Sequence, residues 1–475
     1  MSRKKDILKE TKFWEQKMKN VAFHNLGCKV NSYEMEVMQQ IVQKHGYNIV
    51  QFSQKADVYV VNTCTVTNIA DRKSRQMLHR AKQLNPDAVI VAAGCYAQTG
   101  TEDLKKDAAV DIIIGNNHKT EIGDILDRYF AEKETELTVI SDLSSYSDYE
   151  NATITAGESR TRADVKIQDG CNQFCAYCAI PLARGRVRSR KPEDVIAEIR
   201  MLAESGHREI VLTGIHICSY GIDFDDKAWE RGEVLPSKHE HNEEPVSDYR
   251  GKTKLFDLVE RIDREIGPEL ISRIRLGSLE PRVITPENVE RLVKISRVCP
   301  HFHLSLQSGC DATLKRMNRH YTTEEYKSGV KLIREMYGKA GKNVAVTTDV
   351  IVGFPGETEE EFEITRRFLE ELELYEMHIF KYSRRKGTVA DKMPGQLTEK
   401  VKSARSDVLL EMTERHSEKY RERYIGKETE VLFEEEKNGF YTGHTADYVK
   451  VSVPADYFKE DPTGKIVCVF YNNIL

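Results

Sequence analysis

The sequence contains no run of about eighteen apolar residues, so nothing in it reads as a membrane-spanning helix. Its polar opening, MSRKKDILKETKFWEQKMKN, lacks the short apolar core of a secretory signal. Both absences point to the cytoplasm and away from any membrane partner. An excess of positive charge is also missing. Lys and Arg number 71 against 76 Asp and Glu, the net charge is −5 and the pI is near 6.3, so neither general attraction to nucleic acid nor a DNA partner is expected. Any RNA contact must come from local patches. Cysteine is present, ten residues in all, but a reducing compartment excludes a disulfide framework. Grouped thiols therefore read as metal ligands or catalytic groups. At 475 residues the chain exceeds one hydrophobic core, and two or three domains are expected.

From Val21, short apolar runs alternate with amphipathic segments: VAFHNLG, NSYEMEVMQQIVQKHG, ADVYVVNTC, NIADRKSRQMLHRAKQLNP, AVIVAAGC. That rhythm predicts a parallel βαβ domain over residues 19–135, its first helix capped by Asn31 with Glu34. The Ser- and Thr-rich residues 136–160 read as a linker. The alternation then resumes for six βα repeats, DVKIQ, EIVLTGIH, SRIRLGS, HFHLSLQSG, VAVTTDVIVGFPG and EMHIFKYS being the strands. Six repeats fall short of the eight that close a barrel, so residues 161–397 are expected to form a partial, TIM-like (βα)6 barrel with an exposed insertion at 221–254. A charged helix over 398–423 leads to residues 424–475, whose short strand patterns predict a small antiparallel β-barrel. The fold class is α/β.

CNQFCAYC packs Cys171, Cys175 and Cys178 into one loop directly after the first strand of the second domain, on the active-site face of a βα fold. Three thiolates there can hold three irons of a four-iron cluster and leave the fourth open. The alternative is a structural zinc site, which wants four ligands in two pairs, and no nearby Cys or His completes it. Cys28, Cys64 and Cys95 lie far apart in sequence, yet each sits just beyond a predicted strand, in NLGCKVN, VNTCTVT and AAGCYAQ. In a parallel sheet those loops leave by one edge, where three thiols can converge. The alternative is three unrelated core thiols. Cys218, Cys299, Cys310 and Cys468 show no such arrangement.

With both sets present, the chain from Val21 onward resembles the methylthiotransferases among the radical S-adenosylmethionine enzymes. FHNLGCKVNSYE, VNTCTVTN, ARGRVRSR, VLTGIH, LSLQSG and TDVIVGFPGETEEEF are most similar to the branch acting on N6-threonylcarbamoyladenosine in tRNA. The resemblance implies two 4Fe–4S clusters, one on Cys171, Cys175 and Cys178 for radical generation from S-adenosylmethionine and an auxiliary one on Cys28, Cys64 and Cys95 for sulfur insertion. It also implies a carboxyl-terminal RNA-binding TRAM barrel, an electron donor protein, and replacement of the C2–H of the adenosine at position 37 by a methylthio group. Action on another tRNA nucleoside or a ribosomal protein, or an iron–sulfur RNA-binding protein without turnover, are the rival readings.

Thr213, Gly214, Glu280 and Gln307 end strands on the cluster face and are candidate S-adenosylmethionine contacts, or else loop-shaping residues. Arg184, Arg186, Arg188, Arg190 and Lys191 follow the cluster loop directly and read either as a tRNA phosphate contact or as a solvated face. After Tyr424 the chain holds five lysines, no arginine and nine acidic residues. RNA contact there is expected from stacking by Tyr441 and Tyr448 with Lys450.

Overall fold

The computed structural model describes residues 18–132, 137–143, 149–154, 161–231, 233 and 253–471. The described residues fall into two compact units that divide after Leu143.

The first unit is one six-stranded parallel sheet of order β2-β1-β3-β4-β5-β6. Its strands are β1 (Asn20–Asn25), β2 (Asn48–Val50), β3 (Val58–Thr63), β4 (Val89–Gly94), β5 (Ile112–Ile114) and β6 (Leu137–Val139). β3 and β4 are buried along their whole length, as expected of parallel strands with helices on both faces. Alternation sends Val21, Val58, Val60 and Val91 toward helices Lys29–Lys44 and Ile122–Glu132, and Ala22, Tyr59, Val61 and Ile90 toward helix Asn68–Leu84. Each buried Val or Ile contributes about 1.5–3 kcal/mol. Two expectations are corrected here. Leu137–Val139, inside the expected linker, pairs with β5 and extends the sheet. Asn31 does not cap the first helix. Cys28 occupies that position, and the Asn31 amide is spent on the Thr63 carbonyl of β3 at 3.0 Å.

The second unit opens with six parallel strands in two half-sheets: β7 (Arg162–Asp169), β9 (Glu209–Gly214) and β10 (Arg273–Leu276) in one, and β11 (His301–His303), β12 (Ala345–Val352) and β13 (Glu376–Lys381) in the other. Bridges Ile274 to Val298 and Leu279 to Leu304 join them into a partial (βα)6 barrel. β8 (Arg188–Ser189) pairs antiparallel with the end of β7. Pro192 opens helix Pro192–Glu204, and Thr358 with Glu361 forms a capping box on helix Glu359–Leu372. Most of the 221–254 insertion lies outside the described residues.

Helix Glu399–Arg421 packs along β13 and leads to the antiparallel sheet of β14 (Glu428–Lys437), β15 (Phe440–His444), β16 (Lys450–Pro454) and β17 (Ile466–Phe470). A bulge between Phe433 and Glu435 curls it around Val431, Phe433, Val451 and Val469.

Candidate functional site

β7 ends at Asp169, and Gly170 turns the chain into the cysteine loop at φ +69°. A Cβ there would meet the Arg186 carbonyl oxygen at 1.7 Å, so only glycine fits. Cys171 N–H donates to the Gly185 carbonyl at 3.0 Å, Ala176 N–H to Met317 at 2.9 Å, and Ala390 N–H to Ala176 at 2.8 Å, which fixes the loop to three other segments. Cys171 is buried and Cys175 and Cys178 are partly so, all three as free thiols. Burial first, then neighbouring Cys175 and Cys178, push the Cys171 thiol up; burial and Cys175 push Cys178 up to about 12. Cys171 and Cys178 thus both feel the Cys175 sulfur, and ligation must displace protons.

Around this loop lies a buried polar network. Glu280 accepts from His216 Nε2 at 3.2 Å and from Arg282 Nε at 3.2 Å. Burial alone would raise its carboxyl, but the His216 hydrogen bond and the Arg319 and Arg282 cations outweigh that and hold it at about 2. Arg282 also donates to the Gln173 side chain of the cysteine loop at 3.3 Å, and Arg319 Nη1 reaches Cys175 Sγ at 3.2 Å. Thr213 and Gly214 end β9, and His216, two residues on, donates its N–H to Gln168 of β7 at 2.8 Å. Gln307 takes φ +71° and pairs with β12 through Asp349 and Ile351. The structure thus ties Glu280 to the cysteine loop through Arg282, while Thr213 and Gly214 end β9 and Gln307 follows β11. Sequence reasoning missed Gln173, Arg282 and Arg319. Arg319 lies 144 residues from Cys175, and no spacing signals that contact.

The basic run is corrected as an RNA surface. Arg184, Arg188 and Arg190 are buried, Arg184 completely. Arg184 bonds both oxygens of Asp169 at 3.1 Å, with Lys166 on the same carboxylate at 2.6 Å. Arg188 sits in β8 beside Asp169, and Arg190 pairs with buried Glu198. These side chains brace the loop from behind because β8 folds the run against the end of β7. Only Arg186, half-buried with its guanidinium 4.5 Å from the Phe174 ring centre, and exposed Lys191 remain accessible.

Tyr448 is corrected as well. Its ring stacks on His301 at 5.0 Å and His444 at 4.6 Å, and Arg162 and Arg275 face it at 5.0 and 4.6 Å. Arg162 and His301 are the first residues of β7 and β11, so Tyr448 fills the amino-terminal mouth of the barrel, opposite the cysteine loop. Tyr441 is half-buried against Phe458 at 5.6 Å, and Lys450 is exposed.

In the first unit, Cys28, Cys64 and Cys95 follow β1, β3 and β4, three adjacent strands, at their carboxyl ends. Cys64 and Cys95 are buried and Cys28 is exposed. Neutral groups line much of this edge, and the buried Glu34–Lys119 ion pair lies beside them, Glu34 in the helix that Cys28 caps and Lys119 three residues after Asn116. Asn62 Nδ2 donates to the Asn31 carbonyl at 2.7 Å, Thr63 Oγ1 to Ala93 at 2.6 Å, and Asn116 Nδ2 to Cys95 Sγ at 3.6 Å. Gly94, at φ +97°, carries a position where a Cβ would strike Asn62 Oδ1 at 2.5 Å.

Neither trio brings its three sulfurs all within 4.8 Å of one another. One tetrahedral zinc, with Zn–S of about 2.3 Å, needs sulfurs about 3.8 Å apart. Both arrangements are thus more open than a single ion requires, and each offers three thiols of the kind that hold iron–sulfur clusters.

Residues 20–115 match the uncharacterized protein family UPF0004, and residues 165–369 match the radical SAM superfamily. The chain is 40% identical to the threonylcarbamoyladenosine tRNA methylthiotransferase MtaB of Bacillus subtilis (strain 168), over 95% of this chain and 93% of that protein. It is 36% identical to the MtaB of Aquifex aeolicus (strain VF5), over 94% and 99%. It is also 35% identical to the tRNA-2-methylthio-N(6)-dimethylallyladenosine synthase of Staphylococcus haemolyticus (strain JCSC1435), over 86% and 74%. Among solved structures, the radical S-adenosylmethionine methyltransferase TsrM from Kitasatospora setae shares the fold, with a TM-score of 0.51 at 13% identity over 77% of this chain and 72% of that one.

Proposed function

The chain belongs to the radical S-adenosylmethionine methylthiotransferases, in the branch of the threonylcarbamoyladenosine tRNA enzymes, and from that membership we propose that its two cysteine trios hold two 4Fe–4S clusters with separate tasks. The enzyme converts N6-threonylcarbamoyladenosine at position 37 of tRNA to its 2-methylthio derivative, with S-adenosylmethionine as cosubstrate. Cys171, Cys175 and Cys178 hold the cluster that binds S-adenosylmethionine, and Cys28, Cys64 and Cys95 hold the auxiliary one. Bound there, these groups supply one-electron reductive cleavage of a sulfonium and sulfur for insertion, chemistry that side chains alone do not offer.

The chain's own residues do the positioning. Arg319 places a cation on Cys175 Sγ and Arg282 holds Gln173, so the loop keeps one shape while its thiols lose their protons. Glu280 stays ionised at neutral pH, offering a carboxylate for a cationic ligand group, and Thr213, Gly214 and Gln307 complete the S-adenosylmethionine contacts from neighbouring strand ends. Arg186 and Lys191 remain as tRNA contacts, with Lys450 on the carboxyl-terminal sheet. A donor protein supplies the electrons. No described helix is long and apolar enough to cross a membrane. A tRNA substrate and free thiols fit work in the cytoplasm.

The observation that carries this reading is the amino-terminal trio on three adjacent strand ends, a second thiol set beyond the one that radical generation requires. Mass analysis of tRNA nucleosides from cells with and without the gene tests the substrate. Loss of 2-methylthio-N6-threonylcarbamoyladenosine on deletion is expected. Loss of the isopentenyl-type methylthio nucleoside instead would move the chain to the other branch.

A further inference from the structure

Among the described residues, one set of three side chains brings metal-ligating atoms within 4.8 Å of one another: His303, Asp349 and His378. They come from β11, β12 and β13, three neighbouring strands of the second half-sheet. The register sets Asp349 directly opposite His378, while His303 lies opposite Thr347, two residues along β12 and so on the same face. That face is the inner one. The alternate residues face the helical layer, where the Phe302 ring meets Tyr337 of helix Thr323–Lys339 at 5.4 Å.

The three groups are arranged, not merely close. The Thr347 hydroxyl sits 3.0 Å from His303 Nδ1, which turns Nε2 toward Asp349 Oδ2 at 3.3 Å. Fixing one imidazole nitrogen through a hydrogen bond while the other points at the site is how metal-ligating histidines are oriented. His378 stacks on His303 with ring centres 5.7 Å apart and an interplanar angle of 26°, so both imidazoles approach Asp349 from one side. An ordinary His–Asp ion pair accounts for two of these residues and leaves the third unexplained. The cysteine trios do not account for it either.

We propose that His303, Asp349 and His378 form a binding site for a divalent first-row transition ion, separate from both thiol sets. Two imidazoles and one carboxylate are the donor set of facial-triad sites, in which the ion keeps open positions. Neutral imidazole and carboxylate suit zinc and ferrous iron, and zinc is the probe of choice because it brings no redox chemistry to the iron–sulfur groups.

The test uses holoenzyme prepared anaerobically, treated with chelator, mixed with a small excess of Zn2+, desalted and analysed for zinc and iron. Wild type is expected to retain about one zinc per chain, while His378→Ala and Asp349→Asn retain at least about tenfold less, with iron content and circular dichroism unchanged. His378 is exposed, which keeps its variant folded. Thr347→Val, which keeps all three ligands, should weaken zinc binding by about 10–100-fold. Equal zinc in wild type and both ligand variants would place the metal on thiols and overturn the site. Wild type retaining no more than the variants would overturn it equally.

Discussion

The two thiol trios are built in opposite ways. Cys171, Cys175 and Cys178 come from eight consecutive residues and are surrounded by charge: Asp169 with Lys166 and Arg184, Glu198 with Arg190, Glu280 with His216 and Arg282, and Arg319 on Cys175 itself. Cys28, Cys64 and Cys95 come from three strand ends and are surrounded by amides and hydroxyls of Asn31, Asn62, Thr63 and Asn116. The loop lacks a sheet ladder, so a few backbone bonds and buried ion pairs brace it from outside. A parallel sheet edge is already fixed by its ladders, and neutral hydrogen bonds carry most of the rest, with the buried Glu34–Lys119 ion pair beside them. The contrast implies that the barrel site depends on charge balance, whereas the amino-terminal site depends on strand register.

The largest effect expected from breaking this contrast is on the chemistry. Cys175→Ala should abolish reductive cleavage of S-adenosylmethionine, measured as deoxyadenosine formed without tRNA. Cys64→Ala should leave that cleavage intact, lower iron by about one cluster's worth and stop methylthio transfer. Retention of full iron and transfer by Cys64→Ala would reduce the amino-terminal trio to core thiols.

Stability comes next. Arg190→Ala strands Glu198, which is 0% exposed, and should cost about 3–5 kcal/mol in denaturant unfolding. Asn31→Ala removes a neutral bond to the Thr63 carbonyl and the contact of the Asn31 amide oxygen with Cys28 Sγ, and should cost about 1–3 kcal/mol. Equal costs would mean that charge is not what braces the barrel loop.

A smaller effect distinguishes the accessible basic residues from the buried ones. Lys191→Ala should leave unfolding unchanged and lower the log–log salt slope of tRNA binding by about 0.7–0.9, the value for one phosphate contact. An unchanged slope would assign Lys191 to a solvated face.

The smallest concerns pH. Glu280 has its carboxyl depressed from an ordinary 4.5 to about 2, so the ionic stabilisation is complete above pH 4.5 and is lost as pH falls from 4.5 toward 2. The stability gap between wild type and Glu280→Gln should therefore be constant from pH 5 to 8 and narrow below 4.5. A gap that instead changed near neutrality would overturn the assignment of this stability to the Glu280 carboxylate.

What the sequence made legible follows the same division. The loop trio was readable from spacing alone, and the strand-end trio from the βα rhythm, because topology converts that rhythm into adjacency. The parallel sheet and the six barrel strands were readable for the same reason. Misreadings arose where a partner lies far along the chain. Asn31 looks like a helix cap until β3 offers it the Thr63 carbonyl, 32 residues away. The arginine run looks like a phosphate surface until β8 turns Arg188 onto the end of β7 and Arg190 meets Glu198. Leu137–Val139 looks like linker because three residues carry too little periodicity to signal an edge strand.

Tyr448 bears on how modular the chain is. Its backbone is left-handed at φ +74°, in a turn where the Asp447 carboxylate accepts hydrogen bonds from Tyr420 and Tyr424. The ring of Tyr448 also covers Arg275, whose two terminal nitrogens have no hydrogen-bond partner among the described residues. The last sheet therefore cannot be exchanged like a bead on a string. A chimera carrying a relative's carboxyl-terminal sheet would need that relative's counterparts of Arg162, Arg275 and His301 as well, since cutting the chain between the two parts would leave buried guanidinium groups bare at the barrel floor.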